Sequence, residues 1–201
     1  INARGITSMT VITHSNGGNV MRWILSNPTW DSRYPNIIAK TRKVNALAPS
    51  SAGTPLADAV MNGNVFEQAL GWLLGYKSDA VRMQQVSWMA TYNANNLYGT
   101  SGRPALPKPF RAVVGTEVES SPFDNDSYCG GYASNVGLEA TQNWLAACSD
   151  GFLNCTSQSA IQGWGCAVTP ARVSAWVRAS AVVRRVFTCT TVWGAALFAI
   201  S

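Results

Sequence analysis

One stretch of this sequence has the residue types and spacing to carry out nucleophilic chemistry: Val11-Ile12-Thr13-His14-Ser15-Asn16-Gly17-Gly18-Asn19-Val20. A serine hydroxyl is a weak nucleophile until it is held where a base can take its proton. A one-residue turn from a strand into a helix does this by pushing the side chain beyond the C-terminal edge of a sheet. The residues two before and two after the serine then approach each other and must be small, and here they are Thr13 and Gly17. The start of the following helix aims free N–H groups and a positive dipole end at the reacting centre. Ser15 is therefore the candidate nucleophile, and the backbone N–H of Asn16 is the candidate donor to an oxyanion.

The elements that must position Ser15 are legible on both sides of it. Residues 7–13, short and rich in β-branched side chains, predict a buried strand. Residues 14–18 read as the turn. From Asn19 a helix follows, with Val20, Trp23 and Ile24 spaced along one face, and Asn27-Pro28 ends it. After a connection rich in Pro, Asn and Asp, residues 43–48 predict the next strand. Thr54 can cap a helix that has Pro55 at its first position. Residues 64–98 read as two helices around Gly75-Tyr76-Lys77-Ser78. Their aromatic and apolar content fits core helices first, and a cap over a binding pocket second. A proline-rich linker (Pro104, Pro107, Pro109) leads to a third strand over Phe110–Gly115. A loop-rich stretch from Glu117 to Gly131 and a helix over 136–147 follow. Strand, helix, strand, helix, strand is the rhythm of an α/β fold, a mostly parallel sheet flanked by helices.

Composition narrows the function classes. The chain has 201 residues, 47% hydrophobic and 12% charged, which fits one globular domain and excludes disorder. The net charge of +5 does not mark a nucleic-acid partner. Beyond Asp150 there is no acid, lysine or histidine, only Arg172, Arg178, Arg184 and Arg185, so residues 1–150 are close to neutral. Cys129, Cys148, Cys155, Cys166 and Cys189 have no CxxC spacing, and His14 is the sole histidine, so no zinc set is present. Disulfides among Cys129, Cys148 and Cys155 are expected, with buried free thiols as the other reading.

Residues 161–201 differ in character, being Ala, Val, Arg, Thr, Trp and Cys without clear period. Losing every acid over this length reads first as out-of-frame or disordered sequence. The apolar run at 186–200 is short for a spanning helix, so a membrane anchor is a weaker reading, and a buried C-terminal element is the third. The chain opens on Ile1, in what reads as the middle of a domain; it is expected to be a partial domain over 1–160 followed by an atypical tail.

The string His-Ser-x-Gly-Gly-Asn-Val resembles the nucleophile turn of α/β-hydrolase lipases and esterases, in particular secreted bacterial triacylglycerol lipases. Thr13 stands where the short form of that motif has glycine. The resemblance continues in Ala48-Pro49-Ser50-Ser51-Ala52-Gly53-Thr54-Pro55-Leu56-Ala57-Asp58, similar to a segment that lines the family's pocket, with Asp58 read as a helix-start acid. It extends over about residues 5–160, as a C-terminal portion lacking the upstream strands and the loop that donates the second oxyanion N–H. The resemblance implies a serine hydrolase cleaving carboxylic esters, acyl lipids above all, through an acyl-enzyme on Ser15 and without a cofactor. It also implies a small-molecule ester or lipid substrate, transient contact with a lipid interface, and a secreted or extracytoplasmic location.

In this family the triad runs Ser, acid, His along the chain. Cys148-Ser149-Asp150-Gly151-Phe152-Leu153-Asn154-Cys155 is similar to the family's Asp-Gly turn, which makes Asp150 the expected acid. Asp124 and Asp126 are the runners-up, in a loop that also reads as an Asx turn or a weak cation site. No histidine follows Asp150. His14, beside the serine, is read as structural. Two rival classes therefore stand beside the hydrolase: a non-catalytic binding protein on the same fold, and an amidase or peptidase.

Overall fold

The computed structural model describes residues 1–63, 78–116, 136 and 138–161, together with the backbone of 170–171 and 199–200. Three parallel strands form its centre: β1 (Met9–His14), β2 (Thr41–Leu47) and β3 (Phe110–Gly115). Two short pieces flank them, β4 (Pro170–Ala171) parallel to β3 and β5 (Ala199–Ile200) antiparallel to β1, giving the order β4-β3-β2-β1-β5. In register, His14 lies beside Leu47 and Leu47 beside Val113. The three central strands therefore end together along one edge. Period-two burial explains why these segments are strands: Met9, Val11 and Thr13 are buried in β1, and Phe110, Ala112 and Val114 in β3.

Helices return the chain between strands. They are α1 (Gly17–Ser26), α2 (Tyr34–Lys40), α3 (Pro55–Met61), α4 (Asp79–Arg82), α5 (Val86–Asn96) and α6 (Cys155–Gln158). Met21 and Leu25 of α1 pack with Met9, Val11, Val44, Ala46, Leu106, Phe110 and Ile161 in one core cluster. Leu56, Ala57 and Val60 of α3 join Val81 of α4 in a second.

The expected strands lie within two residues of their observed bounds, and Thr54 caps α3 through its side chain, with Pro55 first in the helix. Other readings need correction. The buried face of α1 is Gly17, Gly18, Met21, Arg22 and Leu25, whereas Val20 is 41% exposed. Gly18 decides this: a Cβ there would stand 2.9 Å from Pro49 Cβ, so the helix packs through this glycine against the segment after β2. The connection before β2 contains α2, announced by Pro35 in its first turn. The helix expected over 136–147 is helical at its described positions to Thr141. It then tightens into a 3-10 turn over Gln142–Trp144 and leaves it in extended backbone at Leu145.

The second helix of the 64–98 pair appears as α4 and α5, with Ser78 capping α4. Its first helix, residues 64–77, lies outside the described residues, so the core-or-cap question for that segment does too. Cys129, Asp124 and Asp126 also lie outside them, as does most of the tail. Among the described residues no helix is long and apolar enough to cross a membrane, and no cluster of His, Cys, Asp and Glu could hold a metal ion.

Candidate active site

Ser15 sits on the single residue between His14, the last of β1, and Asn16, which precedes α1. Its φ is +51°, a left-handed conformation that a serine adopts at a cost of about 1–3 kcal/mol. The surrounding bonds hold it there. Its N–H donates to Leu47 C=O (3.0 Å), its C=O accepts from Gly18 N–H (3.1 Å), and Gly18 admits the close approach of Pro49. One strand over, Ala48 repeats the device: it leaves β2 at φ +41° and its N–H donates to Val113 C=O (2.8 Å).

Asn16 presents the first N–H ahead of α1, and among the described residues nothing accepts from it. Its side chain is tied down, with Oδ1 accepting from Asn19 Nδ2 (3.1 Å) and from Gln84 Nε2 (3.0 Å). Asn19 Nδ2 also donates to Ser50 C=O (2.9 Å). Arg22, fully buried, donates to Asn19 Oδ1, Ser51 C=O and Tyr98 C=O. Burial lowers its pKa to about 10, which leaves it charged at neutral pH among carbonyl oxygens. Asn93 of α5 donates to the same Ser51 C=O (2.8 Å). This buried network fixes the serine turn to residues 50–51 and to α5.

Asp150 stands at the end of β3. Ser149 N–H donates to Thr116 C=O (3.2 Å), and a Cβ on Gly115 would fall 2.7 Å from Asp150 Cβ. The loop is a closed hairpin: Cys148 and Cys155 are disulfide-bonded, Ser149 bridges Asn154, and Oδ1 of Asp150 accepts from Phe152 N–H (2.9 Å) and Leu153 N–H (2.7 Å). Burial raises the Asp150 pKa to about 6, against the lowering effect of those N–H donors. Gln158, fully buried, holds both sides of the site: its amide bonds Gly115 N–H and C=O and donates to Leu153 C=O. Thr54 Oγ1 donates to Phe152 C=O, which ties the cap of α3 to the same loop.

Ser15 and Asp150 thus share the C-terminal edge of the sheet, one after β1 and one beside the end of β3. Two strand spacings separate those strands, about 10 Å. An imidazole hydrogen-bonded at both nitrogens spans much of such a gap. His14 is not placed to fill it by strand geometry: it alternates with buried Thr13 and so points to the opposite face of the sheet, and burial lowers its pKa. Asp58, in the first turn of α3, accepts from Gln85 Nε2 and Val86 N–H and so serves the start of α5.

Sequence reasoning missed Asn19, Arg22, Gln84 and Gln158. The available signal for two of them was polarity at one-turn spacing: Asn19 and Arg22 lie three apart on the face that also carries Gly18. Two expected outcomes follow from the hairpin. Reducing Cys148–Cys155, whose partners are seven residues apart, is expected to cost about 2–3 kcal/mol. Melting with and without dithiothreitol checks this, and an unchanged Tm contradicts it. Gly115→Ala is expected to cost about 1–3 kcal/mol and to displace Asp150, read as a lower urea midpoint and a changed carboxyl titration by NMR.

The fold is similar to two crystal structures of the lipase BlEst2 from Bacillus licheniformis. The mature form aligns with a TM-score of 0.59 and 17% identity, over 85% of this chain and 59% of that one. The propeptide form aligns with a TM-score of 0.58 and 14% identity, over 96% of this chain and 38% of that one. At these identities the likeness is one of fold, and the chain spans less than two thirds of the length of either structure. No protein-family model and no curated protein matches the chain in sequence.

Proposed function

We propose that this chain carries the nucleophile, an oxyanion donor and the acid of an α/β-hydrolase-fold serine hydrolase that cleaves carboxylic esters, acyl lipids above all. The observation that carries the reading is Ser15 at φ +51° on a one-residue turn between a parallel strand and a helix. A strained non-glycine conformation held by its neighbours is a mark of a working position. The lipase fold neighbours support the same class. In this reading Ser15 Oγ attacks the acyl carbonyl and Asn16 N–H steadies the oxyanion. Asp150 orients a histidine that is not among these 201 residues. The acyl group passes to Ser15, and water then releases the acid. The disulfide at the acid loop supports an extracytoplasmic location.

One observation favours a second reading. The sequence holds a single histidine, and at the end of β1 strand alternation points it to the opposite face of the sheet from Thr13. In this second reading the fold is kept without a base and the chain binds a ligand rather than cleaving one. A fluorophosphonate probe separates the two when it is applied with and without added imidazole. An adduct mapped to Ser15 by mass spectrometry supports the hydrolase. The absence of any adduct under both conditions supports the binding protein.

A further inference from the structure

The sequence sets an asparagine before a glycine twice, at Asn16-Gly17 and at Asn62-Gly63. An asparagine in such a pair can lose its side-chain amide without any enzyme. The glycine backbone nitrogen gives up its proton to solvent base and attacks the asparagine Cγ. A C–N bond forms and closes a succinimide ring, and the side-chain nitrogen leaves as ammonia. Water then opens the ring at either carbonyl, which yields an aspartate or an isoaspartyl link. Glycine favours the reaction because it has no Cβ to obstruct its nitrogen and its backbone turns freely. The step still needs room. The asparagine ψ must swing the peptide out of a helical setting until the nitrogen meets Cγ.

The fold treats the two pairs differently. Asn16, at φ −62° and ψ −17°, stands at the head of α1, and Gly17 is buried. The Asn16 carbonyl accepts from Asn19 N–H (2.9 Å) and Val20 N–H (3.1 Å), so the Asn16–Gly17 peptide rotates only by breaking both bonds. Its Oδ1 accepts from Asn19 Nδ2 and Gln84 Nε2, which holds Cγ as well. Asn62, at φ −82° and ψ 0°, follows the last turn of α3, and both it and Gly63 are exposed. Among the described residues nothing donates to the Asn62 carbonyl, and its side chain makes no hydrogen bond. Gly63 N–H has one long bond, to Val60 C=O at 3.4 Å, and Gly63 has already left the helix at φ +76°. Chain at such an end opens at a small fraction of the cost of global unfolding.

We propose that Asn62 is a site of spontaneous deamidation, with water as the co-reactant, and that the fold shields Asn16 from the same reaction. The distinction has consequences for the molecule. Conversion at Asn16 would set a carboxylate beside Ser15, and an isoaspartyl link there would add a methylene to the main chain of the turn. Conversion at Asn62 sets one new carboxylate on the surface, at the carbonyl end of α3, and leaves that turn intact. This inference does not depend on the reading of Ser15 as a nucleophile.

The test is incubation of the whole folded chain at pH 9 and 37 °C, with timed samples digested and mapped by mass spectrometry. The peptide holding Asn62 is expected to gain the mass difference between amide and acid and to separate into aspartyl and isoaspartyl forms. Its conversion is expected to be at least tenfold faster than that of the peptide holding Asn16. In guanidinium chloride both peptides should convert, and the ratio should fall to within a few-fold, because both pairs are Asn-Gly. Gly63→Ala, compared in guanidinium chloride so that backbone strain in the fold does not enter, should slow conversion at Asn62 at least fivefold. No conversion at Asn62 in the folded chain overturns the proposal, as do equal rates for the two peptides or faster conversion at Asn16. A tenfold difference that persists in the unfolded chain removes the shielding by the fold, and a Gly63→Ala rate equal to the wild type removes the succinimide route.

Discussion

With 0.1 M imidazole present, the chain hydrolyses p-nitrophenyl butyrate faster than imidazole alone, and Ser15→Ala returns the rate to that background. This is the expected result, and three placements lead to it. Ser15 is held at φ +51° at the end of β1, so its hydroxyl is presented whether or not a base is at hand. Asn16 N–H lies next to it with no acceptor among the described residues. Asp150 waits about two strand spacings away with a pKa near 6. What the 201 residues do not supply is the group between, because His14 points to the other face of the sheet. Removing the serine or the histidine from such a triad costs on the order of 10⁶-fold in kcat. Without added base the rate should therefore be close to that of the buffer. A free imidazole diffusing into the gap supplies the missing proton acceptor, and the acceleration should saturate with its concentration. The Ser15→Ala control is indispensable, because imidazole attacks activated esters unaided. Equal rates for the two proteins at every imidazole concentration contradict the placement of Ser15 as an accessible nucleophile in this chain.

The sequence announced this site unevenly, and the difference has a physical basis. The strand-to-helix turn at Ser15 was legible because its requirements are local: a β-branched run, two small neighbours and a helix start, all within about twelve residues. The strands around it were legible for the same reason, since period-two burial is written into each strand on its own. Asp150 needed more. An Asp-Gly turn is common, and only the placement of Ser149 against Thr116, at the end of β3, brings it to the serine's edge. The likeness to a known family's turn supplied what the local pattern lacked. Residues whose role is to join distant segments were not legible at all. Gln158 bonds to Gly115 across 43 positions, and Arg22 to Tyr98 across 76. Polar side chains look like surface until the fold buries them. The face of α1 was misjudged for a related reason: its packing depends on Gly18 meeting Pro49, which a hydrophobic pattern does not record.

The burial of Asp150 should make it a burden on stability, and Asp150→Asn should expose that. The ordinary carboxyl value is 3.8, and burial in the folded protein raises it to about 6. The unfolded chain thus releases this proton at lower pH than the folded chain does. Folding is most favoured while the group is protonated, below about pH 4. It is penalised increasingly as pH rises through the window from 3.8 to 6, and the penalty levels off above that. A difference of about two units corresponds to roughly 3 kcal/mol at full extent. Asparagine keeps the oxygen that accepts from Phe152 and Leu153 N–H and carries no charge. At pH 8 the Asp150→Asn chain is therefore expected to melt several degrees above the wild type, with the two converging at pH 4. A constant offset between pH 4 and pH 8, or a more stable wild type at pH 8, contradicts the assignment. The destabilisation has a use if a cation belongs beside Asp150. An imidazolium there would lower its pKa and recover the lost stability, so added imidazole at pH 7 should raise the Tm of the wild type and leave that of Asp150→Asn unchanged. An acid kept unstable on its own and stable with a histidine is a site built around a partner, and the stability of this loop reports that without any need for turnover.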